Sequence, residues 1–207
     1  MKKKILFLLF IAMPLISLSC ENKKEKTIST KKTKPIYSYE EKLKNELTEI
    51  RSFLGKSPKY NSDVALFLDM KIESGKNRFF VYDLKHNKLL NKGLVGHGSG
   101  SETGIQGELK FSNIKNSNCS SLGKYAIGGS YMGSFGKAYK LYGLDKTNNN
   151  AFDRNIVLHK YSEIPFEEQP YPICNSLGCP MVNEKFFGVL EKLIDNSKKK
   201  IILVMYY

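Results

Sequence analysis

The spacing of apolar residues changes along this chain, and each change marks a new segment. An unbroken apolar run from Ile5 to Ile16 follows three lysines and gives way to small residues. It is too short to span a bilayer comfortably and reads as the core of a secretory signal over residues 1–19. Residues 20–37 are rich in Lys, Thr and Ser with no apolar period, so they bury too little to order themselves and read as a tether. Ser38 with Glu41 three residues on makes a capping box. Leu43, Leu47, Ile50 and Leu54 then recur at helical spacing, and Gly55 supplies a stop. The pattern predicts an amphipathic helix over 38–56, about four turns long, that packs on the domain it precedes. From Val64 the period shortens to that of strands. Runs at 64–70, 78–84 and 88–95 are split by the turn clusters Ser74-Gly75-Lys76-Asn77 and Lys85-His86-Asn87-Lys88. After a Gly/Ser-rich loop at 96–101, short strands are expected at 124–127, 138–144 and 155–159, broken by Gly128-Gly129 and Asn148-Asn149-Asn150. Phe186, Phe187, Leu190, Leu193 and Ile194 predict a helix over 183–196, and 200–207 ends the chain as a strand. Many short strands with Gly-rich turns and few helices predict a mainly β fold, a barrel or sandwich, over 64–207.

Charge changes this picture little. The formal charge is +13 over 207 residues, and loss of Lys2, Lys3 and Lys4 with the signal lowers it by three to +10. Six further lysines lie between Lys23 and Lys34. The excess is therefore largely a tail, suited to anionic lipid or an acidic wall polymer rather than to nucleic acid, which needs a basic folded face interleaved with aromatics.

Candidate chemistry gathers at Asn175-Ser176-Leu177-Gly178-Cys179-Pro180 and at Ile156-Val157-Leu158-His159. A cysteine after a glycine and before a helix start is placed for thiolate chemistry, because the helix end offers unpaired N–H groups and a positive dipole. His159 closes a β-branched run, and a Cys/His pair suffices for acyl transfer through a thioester. The same residues equally describe a buried free thiol near an unrelated histidine. His97 sits in the Gly-rich loop, where a structural histidine that bonds backbone and a site-lining one are equally readable, and His86 in a turn between lysines reads as surface. No Cys-x-x-Cys or His-x-x-x-His spacing joins His97, His159, Cys174 and Cys179, so neither a metal nor a cofactor is expected. Cys119 and Cys174 are left over, and in an oxidising compartment leftover thiols tend to pair, with both unpaired as the alternative.

Two resemblances extend these readings. Ser17-Leu18-Ser19-Cys20 resembles a bacterial lipoprotein processing site, which implies a lipid anchor on Cys20; the alternative is ordinary cleavage that leaves Cys20 a free thiol. The succession Arg78-Phe79-Phe80-Val81-Tyr82-Asp83-Leu84, Val95-Gly96-His97-Gly98-Ser99-Gly100, Ser120-Ser121-Leu122-Gly123-Lys124-Tyr125, Leu141-Tyr142-Gly143-Leu144-Asp145, Ile156-Val157-Leu158-His159 and Ser176-Leu177-Gly178-Cys179-Pro180 resembles murein L,D-transpeptidase catalytic domains of the YkuD-like, Gly-Cys-Pro branch. The resemblance implies an L,D-transpeptidase-like β-barrel or sandwich over 64–207, with one helix after the cysteine. It implies an extracytoplasmic enzyme of the cell envelope acting on peptidoglycan; a monomer is expected. Cys179 would be the nucleophile and His159 its base and acid. Backbone N–H groups of Gly178 and Cys179 would hold the oxyanion, and Ser176 would order the loop. His97, Tyr131 and Asn175 would contact substrate, Asn175 standing where relatives often carry Arg. An L,D-carboxypeptidase of the same fold and an inactive wall-binding module are the competing readings.

Overall fold

The computed structural model describes residues 39–207. The signal, Cys20, the tether and the Ser38 cap lie outside the described residues. The predicted first helix is present as α1 (Tyr39–Gly55). The strands follow as β1 (Tyr60–Asp69), β2 (Phe79–Asp83), β3 (Lys88–Gly93), β4 (Gly123–Gly133), β5 (Gly136–Gly143), β6 (Val157–Lys160) and β7 (Met181–Val182), then α2 (Glu184–Asp195) and β8 (Lys200–Tyr206).

The eight strands form one sheet in the order β3-β2-β1-β8-β4-β5-β6-β7. Gly96, just beyond β3, pairs with Met181 of β7. The two ends of the order therefore meet, and the sheet closes on itself like a barrel. Inside, Leu66, Leu68, Tyr125, Ile127, Tyr139, Leu141, Leu158, Leu203 and Met205 pack with Phe186, Phe187 and Leu190 of α2. The alternate residues Ala65, Phe67, Phe80, Tyr82, Ile202, Val204 and Tyr206 face out and meet Ile50 and Leu54 of α1. β1 and β8 are thus covered on both faces, which is why they read as nearly continuous apolar runs rather than alternating ones. Each such fully buried side chain contributes about 1.5–3 kcal/mol of transfer free energy.

Two local expectations change. Gly128-Gly129 does not end a strand: β4 runs through it, with a register shift between Ile127 and Ser130. The pair is a bulge, and a Cβ on Gly128 would fall 2.3 Å from the Tyr142 ring. Across the bulge Ala126 pairs with Tyr142 and Tyr131 with Ala138. Residues five apart would point oppositely in a regular strand; the inserted residue turns both outward. Nor does Cys179 abut a helix. β7 intervenes, and α2 starts only after Asn183, whose side chain accepts the Phe186 N–H at 2.8 Å.

Candidate active site

β5 and β6 pair with Ala138 opposite His159 and Lys140 opposite Val157. Alternation sends Tyr139, Leu141 and Leu158 into the core and turns Ala138, Val157 and His159 outward. They line a cavity of about 460 Å³ together with Cys179, Ser176, Asn175, Tyr131, Phe135 and Arg154. A larger hollow of about 600 Å³ lies between α1 and β8. It is lined by no cysteine or histidine, so volume alone does not pick the site.

His159 is only 6% exposed. Its Nδ1 lies 3.0 Å from the Lys160 carbonyl, an atom that only accepts, so Nδ1 carries the proton and Nε2 is the basic nitrogen. Phe135, at the tip of the β4–β5 hairpin, stacks on the ring at 5.2 Å. Burial pushes the His159 pKa below its ordinary value. Lys160 turns away from the cavity to pair with Glu184 at 2.5 Å.

Cys179 is half-buried at the end of the loop before β7. Its Sγ accepts the Val157 N–H at 3.4 Å and faces the Asn155 carbonyl at 3.6 Å. Desolvation raises its pKa, against smaller lowering effects of the Val157 N–H and the Arg154 charge. Both shifts favour the neutral forms, thiol and imidazole, over an ion pair. The helix-end argument for a depressed thiol pKa does not hold here.

The loop is held from within and below. Ser176 Oγ accepts the Gly178 N–H at 3.0 Å and donates to the Cys179 carbonyl at 2.6 Å. The Gly178 N–H, expected to face an oxyanion, is directed to that hydroxyl, whereas the Cys179 N–H has no acceptor among the described residues. Gly178 adopts φ +121°, and a Cβ there would meet the Cys119 carbonyl at 2.9 Å, so glycine is needed for conformation and space. Below the loop, the Ser176 N–H donates to the His97 carbonyl at 2.7 Å, and the Ser99 N–H to the Ser176 carbonyl at 2.8 Å.

Tyr131 and Asn175 line the cavity, and His97 does not. Its ring lies behind the loop in a second hollow, of about 470 Å³. Arg78, 1% exposed, donates to His97 Nδ1 at 2.8 Å and to the Val95 and Ile72 carbonyls. The opposite nitrogen, Nε2–H, donates to Glu102 at 2.7 Å, and Glu102 also accepts from Asn175 at 3.2 Å. Burial and the Arg78 charge lower the His97 pKa to about 4.

The Cys119–Cys174 disulfide is not formed. Both are free thiols, and Cys119 Sγ instead donates to the Gly100 carbonyl at 3.0 Å.

Sequence reasoning missed Arg154 and Phe135. Arg154 donates to Ser112 O at 2.8 Å, Cys119 O at 2.5 Å, Ser121 Oγ at 3.2 Å and Ser117 Oγ at 3.3 Å, gathering the 112–121 segment beneath the Cys179 loop. A lone cation in an Asn-rich turn three residues before the histidine strand was the available signal. For Phe135 it was an aromatic between the hairpin glycines Gly133 and Gly136.

Residues 37–206 match the family model of the L,D-transpeptidase catalytic domain. Comparison with curated proteins gives no match. Among solved structures, the chain resembles the L,D-transpeptidase (residues 123–326) of Xylanimonas cellulosilytica (12% identity, TM-score 0.35, covering 69% of this chain and 60% of that one). It also resembles the L,D-transpeptidase of Mycobacterium smegmatis (10%, 0.40, 70% and 59%). A third is the helical cell shape determining protein Pgp2 of Campylobacter jejuni (13%, 0.43, 77% and 53%). The chain thus spans little more than half the length of these structures.

Proposed function

The chain belongs to the L,D-transpeptidase catalytic domain family, and from that premise we propose that Cys179 performs acyl transfer on peptidoglycan stem peptides through a thioester. One observation carries the reading: His159 and Cys179 share a cavity, and the Lys160 carbonyl holds His159 in the tautomer whose Nε2 can take a proton. The Sγ proton passes to Nε2 as sulfur adds to a peptide carbonyl, forming the S–C bond. The carbonyl oxygen, now anionic, meets the Cys179 N–H. Collapse breaks the C–N bond, and the imidazolium returns its proton to the departing amine of the terminal D-residue. An amine of a second strand then adds to the thioester carbonyl and gives a proton to Nε2. The C–S bond breaks, and the thiolate recovers that proton. Ser176 keeps the loop in register, and Tyr131 and Asn175 flank the peptide.

The same reading places the domain outside the cytoplasm, tethered by residues 20–37 from a lipid on Cys20. The mass of the N-terminal peptide reads that lipid directly.

The test is mass analysis of muropeptides incubated with the protein. Cross-linked dimers and a Cys179 acyl adduct are expected, and both should vanish in Cys179→Ala. Release of the D-residue without cross-link would convert the reading to a carboxypeptidase. An acyl adduct that persists in Cys179→Ala would overturn it.

A further inference from the structure

A smaller hollow of about 240 Å³ adjoins the nucleophile cavity and shares Tyr131, Asn155 and Val157 with it. We infer that this hollow is a subsite for a carboxylate carried by the peptide substrate, and that Lys140 is the residue that holds it.

The register places it. Ala138 sits opposite His159 and Lys140 opposite Val157, so Lys140 lies two residues along the same outward face, about 7 Å from the histidine row. That is the reach of about two extended peptide residues. The ammonium stands between two aromatic faces, 5.1 Å from the Phe152 ring centre and 5.8 Å from that of Tyr131. Tyr142 stacks behind Phe152 at 5.2 Å and fixes that wall.

Charge decides the occupant. Other lysines on these strands have carboxylate partners: Lys124 with Asp145 at 3.0 Å, Lys137 with Glu191 at 2.9 Å, Lys160 with Glu184 at 2.5 Å. Lys140 has none among the described residues. No Asp or Glu lines either hollow, and Arg154 is a second cation in the wall. Two adjoining hollows with two cations, no acid and aromatic sides favour an anionic peptide group over a neutral or cationic one. The rings offer apolar surface to the side chain that flanks the carboxylate. Tyr131 is the partition between the two hollows, so one peptide can occupy both. This inference rests on the acyl-transfer reading of the neighbouring cavity.

The experiment uses the full chain carrying Cys179→Ala, which binds without turnover. Its affinity is measured for a synthetic stem tetrapeptide with all carboxylates free, and for versions with each carboxylate amidated in turn. One amidated version should bind about tenfold more weakly, the loss of one charge-assisted contact. Adding Lys140→Gln should erase that difference by weakening the free peptide, and Lys140→Arg should restore it. Circular dichroism controls for folding. Equal affinity for all versions, or a difference that survives Lys140→Gln, overturns the subsite; so does failure of every version to bind. Acylation of wild-type Cys179 by the free tetrapeptide, followed by mass, tests the acyl-transfer reading separately, so the two can fail independently.

Discussion

At Cys179 the thiol gives up solvation and gains only a 3.4 Å N–H from Val157 and the charge of Arg154, so its pKa is raised. At His159 burial outweighs the Lys160 carbonyl, and the pKa is lowered. The shifts run against an ion pair, in which the thiol would fall and the imidazole rise. In the acyl-transfer mechanism proposed above, the thiolate would form as the proton moves to Nε2 during attack. His159→Gln should lower acylation by stem peptide about 10²–10⁴-fold while leaving the pH midpoint of iodoacetamide alkylation in the raised thiol range. Alkylation should climb with pH beyond the ordinary thiol range in both proteins. An alkylation plateau below neutral pH in the wild type, lost in His159→Gln, would establish the ion pair instead.

The two loops beneath the cleft act as one element. The Gly96–Ser99 backbone accepts and donates along the Cys179 loop, and Arg78, His97 and Glu102 carry that contact into the core and out to Asn175. Protonating His97 would put a hydrogen on Nδ1 against the Arg78 donor, which adds to desolvation in holding its pKa near 4, against an ordinary 6.5. Between those values the unfolded chain takes up the proton and the folded one does not, so this group's stabilisation is present above about 6.5 and is lost as pH falls toward 4. The melting temperature should drop over that window, and His97→Gln, which can still accept from Arg78 and donate to Glu102, should drop less steeply. Parallel curves for the two proteins would mean that His97 does not titrate as described. Nothing in the sequence pointed to this network: a Gly-rich loop histidine has no period, and Arg78 reads as the polar start of an apolar strand. The strands and α2 were legible because their periods record burial on one face or two. The disulfide and the helix-end thiolate failed for a geometric reason. Spacing along the chain does not say where Cys119 points, or that two residues of β7 separate Cys179 from α2.

Across the whole molecule the closed sheet divides the work by surface. Its inside is core, with α2 packed against it; its outside is shared between α1 over β2, β1 and β8 and the cleft over β5 and β6. The alternation that makes the core also sets out His159, Ala138 and Lys140 in rows, and the β4 bulge adds Tyr131 to them. The amphipathic period of residues 43–54 was enough to foresee that α1 packs on the domain, though not onto which strands. Since α1 and the cleft occupy separate strands of the outer surface, stability and chemistry should be separable by mutation. Ile50 is 1% exposed beneath α1, so Ile50→Ala should cost about 2–5 kcal/mol. For a domain of this size, that corresponds to a melting temperature lower by roughly 5–15 °C. Iodoacetamide should still alkylate Cys179 at the wild-type rate at a temperature where the variant remains folded. An unchanged melting temperature would mean that α1 does not hold the sheet. A stable variant with an altered Cys179 rate would mean that the helix reaches the cleft through β8 and β4, and that the two halves of the outer surface are coupled.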